Sequence, residues 1–431
     1  MRLFPTTDQL AQNGLGRGWR WAKVREGAGA ATGLCATDQL AKNGLGRGWR
    51  WAKVREWAGG ATGLCALLAF AAMAPAQTRF ARFEQRVLAA DLRGGYQVVA
   101  TDVNKDGKPD LVALASGMTD LFWLEGPNWE RRVLAAGLKR MINTWPMDTD
   151  GDGIPEFLVA HAFENEAARS VGIVTLLTHG PDVRQPWTAR EIDRLTTSHR
   201  IRAANGMFIN APLTGASAVA PEYRDHTPLV AYGPGDWHRQ LVNGDDEGVV
   251  HGIFVHDWNR DGRDDVLTAS FRGIHVNLAR ADGTWKREKI ADGDPAPWPK
   301  SGSSDVTVGR LHQERLLAAI EPWHGNQVTI YRRKNGVWTR TVIDDSLVDG
   351  HTVFAADLNG DGKQEIVAGF RGGKRGVYIY YEEDGRWIRQ ILSEGAVAAA
   401  ACAVADLNND RKLDIACIGS ATQNLILYTQ K

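Results

Sequence analysis

A nine-residue loop rich in oxygen-bearing side chains recurs along this 431-residue chain. Its clearest copy has Asp357, Asn359, Asp361 and Glu365 at positions 1, 3, 5 and 9, with Gly362 at position 6. Oxygen ligands at this spacing, around a turn glycine, suit a hard cation that takes six to eight oxygens. The flanking segments are short, apolar and partly β-branched, which is typical of strands and not of EF-hand helices. The unit therefore predicts a strand, a cation loop and a second strand. Further strands are expected over 338–343 and 377–381, and we assign all four to one blade.

The loop recurs at a regular spacing. Four more copies place the oxygen set at Asp102, Asn104, Asp106 and Asp110; at Asp148, Asp150, Asp152 and Glu156; at Asp257, Asn259, Asp261 and Asp265; and at Asp406, Asn408, Asp410 and Asp414. The last copy has Arg411 in place of the turn glycine. Two degenerate copies begin at Asn205 and Arg310, and they lack the acidic set. We expect structural calcium in the acidic loops and no cation in the degenerate pair.

An aromatic residue that opens a short strand is a second, independent marker of the repeat. It occurs at Phe83, Trp129, Trp187, Trp237, Trp285, Trp338 and Trp387. Both markers count seven units at a period of about fifty residues, which indicates a repeat array. Four short strands per unit predict an all-β, seven-bladed β-propeller. The strand over 82–88 precedes any complete blade, and the chain stops after a third strand over 425–430. We therefore expect the N-terminal strand to complete the last blade and close the ring.

The first 76 residues do not follow the blade period. Residues 7–36 and 37–66 are a near-perfect tandem copy. A basic segment, an apolar run and Ala74-Pro75-Ala76 then predict a signal peptide cleaved after Ala76, and hence a secreted or periplasmic protein. We divide the chain into a duplicated leader (1–53), a signal peptide (54–76) and a propeller (79–431). Because the signal lies deep in the chain, we expect that translation starts downstream, near Val54, and that the first copy is not translated; a genuine long leader is the alternative.

Composition narrows the possible partners. The formal net charge is zero and no basic tract is present, which argues against nucleic acid as a partner. No other stretch is long and apolar enough to span a bilayer, so we expect no membrane association after signal cleavage. Cys402 and Cys417 fall on successive strands of the last blade. An oxidising compartment permits a disulfide between them, but cross-strand bridges are unusual, so two buried thiols are the expectation.

The face opposite the cation loops carries the stronger functional signal. The residues six positions before each loop start are Tyr96, Ile142, His199, His251, Ser304, His351 and Ala400. Three of the seven are histidines, in a chain with only eleven. First strands line the axis of a propeller, so these imidazoles are expected to converge. Several imidazoles with a carboxylate nearby predict a site for zinc or another divalent metal; the alternative is that each histidine caps a strand.

Other polar side chains belong to the same face. The ends of the second strands add His161, Asn210, Glu321, Trp323 and His324. Arg272 and Arg371 occupy matched places in two blades, and Arg200 and Arg202 follow His199. The arginines suit a carboxylate or sugar hydroxyls, and Trp323 suits a sugar face; a solvated rim is the alternative for the arginines. No Ser-His-Asp order, Walker loop or dinucleotide-binding glycine motif occurs.

The loops resemble the FG-GAP/VCBS repeats of integrin-like propellers. The segments 251–273, 320–333, 349–373 and 402–425 more closely resemble the propeller domain of aldos-2-ulose dehydratase, and the likeness covers most of residues 80–431. That resemblance implies a seven-bladed propeller with a divalent-metal site that dehydrates a keto-sugar. It does not extend to the cupin domains of the full-length dehydratase, so it implies no following isomerisation. Related propellers include polysaccharide lyases.

The chemistry that this resemblance implies is β-elimination, in which a base removes a proton next to a carbonyl or carboxylate and a metal steadies the enolate. Candidate catalytic or metal-ligating residues are His199, His251 and His351, with His324 and Glu321 in support. Candidate substrate contacts are His161, Arg200, Arg202, Asn210, Arg272, Trp323 and Arg371. The sequence thus predicts a secreted, calcium-stabilised sugar dehydratase or lyase acting on a keto-sugar or uronate glycan. A non-catalytic propeller that binds glycans or proteins is the alternative.

Overall fold

The computed structural model describes residues 80–431, so the duplicated leader and the signal peptide lie outside the described residues. The described chain forms seven four-stranded antiparallel sheets, as the sequence predicts. The first strand, β1 (Phe83–Ala89), precedes the blades. Blade 1 is β2 (Gly95–Thr101), β3 (Asp110–Ala115), β4 (Leu121–Glu125) and β5 (Glu130–Ala135). Blade 2 is β6 (Asn143–Met147), β7 (Glu156–His161), β8 (Ile173–Thr178) and β9 (Thr188–Arg194), with a 3₁₀ turn at Ala167–Arg169.

The remaining blades follow the same order. Blade 3 is β10 (Ser198–Ala204), β11 (Met207–Pro212), β12 (His226–Tyr232) and β13 (Gln240–Glu247). Blade 4 is β14 (Val250–His256), β15 (Asp265–Ser270), β16 (Gly273–Ala279) and β17 (Trp285–Ala291). Blade 5 is β18 (Asp305–Leu311), β19 (Glu314–Glu321), β20 (Gln327–Lys334) and β21 (Val337–Asp344). Blade 6 is β22 (Gly350–Ala356), β23 (Glu365–Phe370), β24 (Gly376–Glu383) and β25 (Arg386–Glu394). Blade 7 combines β26 (Ala399–Ala405), β27 (Asp414–Gly419) and β28 (Leu425–Gln430) with β1, which pairs antiparallel with β28.

The first strand of each blade lies on the inside of the ring. Each first strand contacts the first strand of the next blade, and β26 of blade 7 contacts β2 of blade 1. Five of the second strands are buried along their whole length, as β3 and β27 are; β11 and β19 are buried except at their first residues. Strands covered on both faces read as continuous apolar runs. The outer strand β21 alternates exposed and half-buried positions over its first five residues, because one face meets solvent.

One assignment made from the sequence is wrong. The strand predicted over 338–343 was placed in the same blade as the loop that begins at Asp357, but it is β21, the outer strand of the preceding sheet. The outer strand of that loop's own blade is β25, which pairs with β24 across a tight turn at Asp384 and Gly385. The reason is geometric: a short turn joins antiparallel neighbours within a sheet, whereas the segment after β21 crosses to the next blade.

Ion pairs between outer strands join consecutive blades. Arg239 pairs with Asp193 at 2.7 Å, Arg287 with Asp246 at 3.1 Å, Arg340 with Asp294 at 3.5 Å and Arg389 with Asp344 at 2.9 Å. In each case the arginine follows the aromatic marker of one blade and the aspartate belongs to the blade before it. At four of the seven aromatic markers, the arginine that follows the marker therefore links neighbouring blades.

Cys402 and Cys417 form a disulfide, so the expectation of two free thiols is wrong. They lie directly opposite each other in the β26–β27 register, with their Cα atoms 4.1 Å apart. The sequence places them on neighbouring strands but does not fix the register that brings the sulfurs together. Within residues 80–431, no helix has the length and apolar character needed to cross a membrane.

Candidate metal centre

The inner strands share a β-bulge at the repeat position that the sequence singles out. The pairing register shifts by one residue at Tyr96, His199, His251, His351 and Ala400. The equivalent residues of blades 2 and 5, Ile142 and Ser304, come immediately before β6 and β18, where pairing is regular. A bulge leaves the extra residue out of the ladder and re-aims its side chain. The bulges therefore turn this set of side chains away from the sheets.

The structure brings His199, His251 and His351 together. The ring of His251 is 5.1 Å from that of His199 and 4.9 Å from that of His351, between centroids. His324, from the connection between β19 and β20, joins them at 4.8 Å from His251 and 5.2 Å from His351. Tyr96 contacts His199 and His351 edge-on. Five rings from five blades thus meet at the centre of one face.

Backbone contacts orient two of these imidazoles. The Nδ1 atom of His351 lies 2.5 Å from the carbonyl oxygen of Ala400, and Nδ1 of His251 lies 3.2 Å from the carbonyl oxygen of Ser304. A carbonyl only accepts, so Nδ1 of His351 carries the proton and its Nε2 keeps a lone pair. Nδ1 of His251 also lies 3.1 Å from the Ser304 hydroxyl, which can donate or accept; the Arg200 guanidinium, which only donates, faces Nε2 of His251 and so places the proton of that ring on Nδ1. Burial holds the pKa values of both rings well below the ordinary value, with a smaller effect of nearby arginines. Both rings are therefore neutral and able to bind a metal.

The donor set fits a divalent metal. His251, His324 and His351 each offer a ring nitrogen, and these atoms lie within 4.8 Å of one another. The Nε2 atoms of His251 and His324 are 3.2 Å apart. Two nitrogens bound at about 2.0–2.1 Å to one tetrahedral zinc would be roughly 3.3 Å apart. Carbonyl partners on the far nitrogens are the usual surroundings of histidine metal ligands.

Asp349 and Arg371 surround the third histidine. Arg371 holds Asp349 through two hydrogen bonds, of 3.0 and 2.9 Å. Nδ1 of His324 lies 3.4 Å from Asp349 and 3.2 Å from Arg371. Nδ1 of His324 can donate to the Asp349 carboxylate, which leaves a lone pair on Nε2 toward His251, or accept from Arg371, which puts the proton on Nε2. Burial, and then the Arg371 charge, lower the pKa of His324 to about 3.

His199 and Tyr96 form a second pair beside the three histidines. The Tyr96 hydroxyl lies 3.0 Å from Nε2 of His199 and 3.3 Å from Nε2 of His351. Nδ1 of His199 is buried and has no hydrogen-bond partner in the described chain. Arg200 donates toward Nε2 of both His199 and His251, at 3.2 Å each. These contacts place a hydroxyl, an imidazole and a guanidinium next to the histidine trio.

Other predicted site residues lie elsewhere. Glu321 is fully buried, and it accepts hydrogen bonds from Ser303, Tyr331 and Arg340. It links strands and does not contact the imidazoles. His161 bonds the Thr175 hydroxyl at 2.9 Å, Asn210 bonds Ser198 at 2.8 Å, and Arg272 pairs with Glu247 at 3.3 Å.

Two further candidates border the site. The Trp323 ring lies 4.8 Å from that of His324, and it packs against Tyr223 and Phe271. Arg202 stacks on Trp145, with its guanidinium carbon 4.3 Å from the ring centroid. Arg202 also lines a cavity of about 110 Å³ that the inner strands enclose.

Two site residues were not nominated from the sequence. Tyr96 shares the repeat position of the histidines, so the pattern pointed to it, but only the histidines were nominated. Asp349 comes two residues before His351 and lies outside the repeat position, so no periodic signal marks it.

The acidic loops lie on the opposite face, each between the first and second strands of a blade, as predicted. In blade 6, Asp357 accepts hydrogen bonds from the backbone N–H groups of Asp361 and Gly362, at 3.1 and 3.0 Å. Burial, and to a smaller extent the Asp361 and Asp357 charges, raise the pKa of Glu365 to about 8. Burial likewise raises the pKa of Asp110 to about 7. A bound cation would offset this clustering of carboxylates, so the loop geometry fits calcium.

Comparison with known families confirms the resemblance inferred from the sequence. A family profile for the β-propeller domain of aldos-2-ulose dehydratase matches residues 171–334. A profile for FG-GAP-like repeats matches residues 102–159 and 357–417. Aldos-2-ulose dehydratase from Phanerodontia chrysosporium is 27% identical over 237 residues, which cover 47% of this chain and 26% of the dehydratase. The chain therefore spans about a quarter of that relative.

Solved structures share the fold. An ancestral GH74 enzyme superposes with a TM-score of 0.52 at 10% identity, covering 80% of this chain and 47% of that one. The extracellular domain of a hybrid two-component system from B. thetaiotaomicron gives a TM-score of 0.52 at 11% identity, covering 82% of this chain and 40% of the other. At such identities the likeness concerns architecture alone.

Proposed function

We propose that this propeller is a metal-assisted sugar dehydratase or lyase that acts by β-elimination on a keto-sugar or a uronate glycan. The observation that carries the proposal is the convergence of three neutral imidazoles, His251, His324 and His351, around one point at the centre of the ring. The neighbouring groups support it, since the Tyr96 hydroxyl lies 3.3 Å from Nε2 of His351 and 3.0 Å from Nε2 of a fourth imidazole, that of His199. The match to the dehydratase propeller supports the same reaction class.

The proposed reaction divides the cluster into two parts. The histidine trio would hold the divalent metal, and such a metal would supply Lewis acidity that lowers the pKa of a C–H bond next to a carbonyl or carboxylate. His199 accepts the proton from that carbon. The electron pair of the C–H bond becomes a carbon–carbon double bond, and the C–O bond at the β-carbon breaks. The Tyr96 hydroxyl, 3.0 Å from His199, gives a proton to the departing oxygen, which leaves as water or as a sugar hydroxyl.

Calcium in the acidic loops belongs to the proposal as a structural component. The loops direct backbone N–H groups onto position 1 and bury the carboxylate at position 9. Secretion, on the basis of the signal sequence, is proposed in the same way. The disulfide between Cys402 and Cys417 is compatible with an oxidising compartment.

A non-catalytic propeller that binds a glycan or protein is the second candidate. The repeat architecture and the rings of Trp323, Tyr223 and Phe271 beside the cluster would serve binding alone. The two candidates differ in one respect: a binding module does not need three imidazoles with ring nitrogens within 4.8 Å of one another.

The test is product formation by the metal-loaded protein. The protein is stripped with a chelator, reloaded with zinc or with calcium alone, and mixed with keto-sugars and uronate oligosaccharides. Elimination creates a double bond conjugated with a carbonyl or carboxylate, which absorbs in the ultraviolet. We expect zinc-dependent absorbance that is lost in His251→Ala and His351→Ala and kept in His238→Ala, an exposed histidine outside the cluster. Glycan binding with no product under any metal would leave the second candidate standing.

A further inference from the structure

Arg200 is a buried cation without a carboxylate partner. It is 8% exposed, and among residues 80–431 no carboxylate lies within ion-pair distance of it. Its two terminal nitrogens instead face imidazole lone pairs, at 3.2 Å each. Three half-buried arginines of the ring are paired with carboxylates: Arg371 with Asp349, Arg340 with Glu321 and Arg287 with Asp246. Arg202, two residues after Arg200, stacks on Trp145 instead.

The surroundings of the histidine trio therefore carry an excess of positive charge. The imidazoles are neutral, and Arg371 and Asp349 cancel each other. Arg200 leaves one positive charge, and a divalent metal would add two. Asp305, in the axial cavity with Arg202, accepts hydrogen bonds from the backbone N–H groups of Val306 and Val353. Burial raises the pKa of Asp305 to about 6, and the charges of Arg200 and Arg202 oppose that rise, so this single carboxylate is shared by two guanidinium groups and one positive charge remains. A buried charge is costly unless it is paired, so the loaded site lacks an anion.

We propose that Arg200 selects a substrate with a carboxylate next to the carbon that loses its proton, so that the substrate is a uronate and not a neutral keto-sugar. The inference rests on the function proposed above and narrows it. A guanidinium presents parallel N–H donors that match the two oxygens of a carboxylate. The carboxylate would lie between Arg200 and the metal, and it would neutralise part of both charges.

This arrangement has a thermodynamic signature. Arg200 repels a bare dication on the neighbouring histidines and attracts the carboxylate. Metal and uronate therefore strengthen each other's binding by the same factor. Replacing Arg200 by methionine should tighten the binding of zinc alone by about tenfold or more and abolish the strengthening by uronate. If Arg200 had only a structural role, its replacement would weaken the binding of zinc and of uronate alike.

The experiment is calorimetric and does not depend on turnover. The full chain is titrated with zinc alone, with glucuronate alone and with each in the presence of the other, and glucose replaces glucuronate in a parallel series. For the zinc-loaded protein we expect glucuronate to bind at least about tenfold more tightly than glucose. Arg200→Met should remove that preference. Arg272→Met is the matched control, since Arg272 is exposed and paired with Glu247.

Each outcome supports or overturns the proposed role of Arg200 in selecting a uronate. Equal affinity of the wild-type protein for glucuronate and glucose overturns the inference, even when Arg200→Met does not fold. Weaker zinc binding in a folded Arg200→Met also overturns it. Elimination of neutral keto-sugars without uronate preference would keep the proposed function and reject this inference. Uronate preference without elimination would reject the proposed function alone.

Discussion

Replacing His351 by glutamine is expected to weaken zinc binding by on the order of a hundredfold. His351 is 1% exposed and contributes one of three ring nitrogens that lie within 4.8 Å of one another. Glutamine has a similar volume but cannot direct a nitrogen lone pair to the place of Nε2. The change therefore removes one ligand without opening a large cavity.

The magnitude follows from the ligand count. Structural zinc sites with four ligands bind with an apparent free energy of about 10–16 kcal/mol, or roughly 3 kcal/mol for each ligand. Since about 1.4 kcal/mol corresponds to a factor of ten, one ligand is worth about two powers of ten in affinity. Asp349→Asn, which changes the acceptor beside Nδ1 of His324, should cost about 10- to 100-fold.

Competition with a chromophoric zinc chelator measures these affinities directly. His161→Gln is the matched control, because His161 is also buried but bonds Thr175 in blade 2. Thermal unfolding establishes that each variant is folded. If a folded His351→Gln protein binds zinc within threefold of the wild type, the trio is not the metal site and the reasoning fails.

Three further predictions follow from the same structure. Millimolar calcium should stabilise the protein by about 2.7 kcal/mol for each loop whose Kd is a hundred times lower than the calcium concentration. Differential scanning calorimetry should show a smaller calcium-induced rise in Tm for Asp357→Ala and an unchanged rise for the exposed Asp384→Asn. Asp344→Ala should cost about 1–3 kcal/mol in urea unfolding, because it leaves Arg389 and its other hydrogen-bond partners without an acceptor. Burial tends to raise the pKa of Asp344, but its hydrogen bonds outweigh burial and hold that pKa below the ordinary value; the stability difference from the variant should therefore be full above about pH 4 and vanish as the pH falls through the folded-state pKa, and a difference that grows on acidification would contradict the assignment. Tyr96→Phe should lower kcat by about 10²- to 10⁴-fold and leave zinc affinity within a few fold, and unchanged kcat would remove Tyr96 from the proton transfer.

Much of the fold follows from the sequence alone. The loops at Asp102, Asp148, Asp257, Asp357 and Asp406, and the aromatic markers, fix the blade number because each is a local pattern that repeats. The face on which the loops lie also follows, since a loop between the first two strands of every blade emerges on one side. The strand over 338–343 was assigned to the wrong sheet because spacing along the chain does not say which neighbour a strand pairs with.

The candidate site is less accessible from the sequence. His199, His251 and His351 can be recognised as equivalent from the sequence, because all three occupy the same position of the repeat. His324 and Asp349 lie off that position, on connections whose path depends on the packed ring. Glu321 was predicted from the sequence to support the histidines, but it is held by Arg340 and Tyr331 within its blade.

The sequence by itself determined the repeating unit, the number of blades, the acidic loop tips and the residues that face the axis. Only the tertiary structure decided which of those residues meet. A bulge sets the direction of one side chain locally, but the distance between His251 and His351 depends on the placement of the blades between and around them. The register that joins Cys402 to Cys417 and the contacts of Arg200 with His199 and His251 in place of an ion pair are also decided by the tertiary structure, because they depend on how neighbouring strands and blades pack.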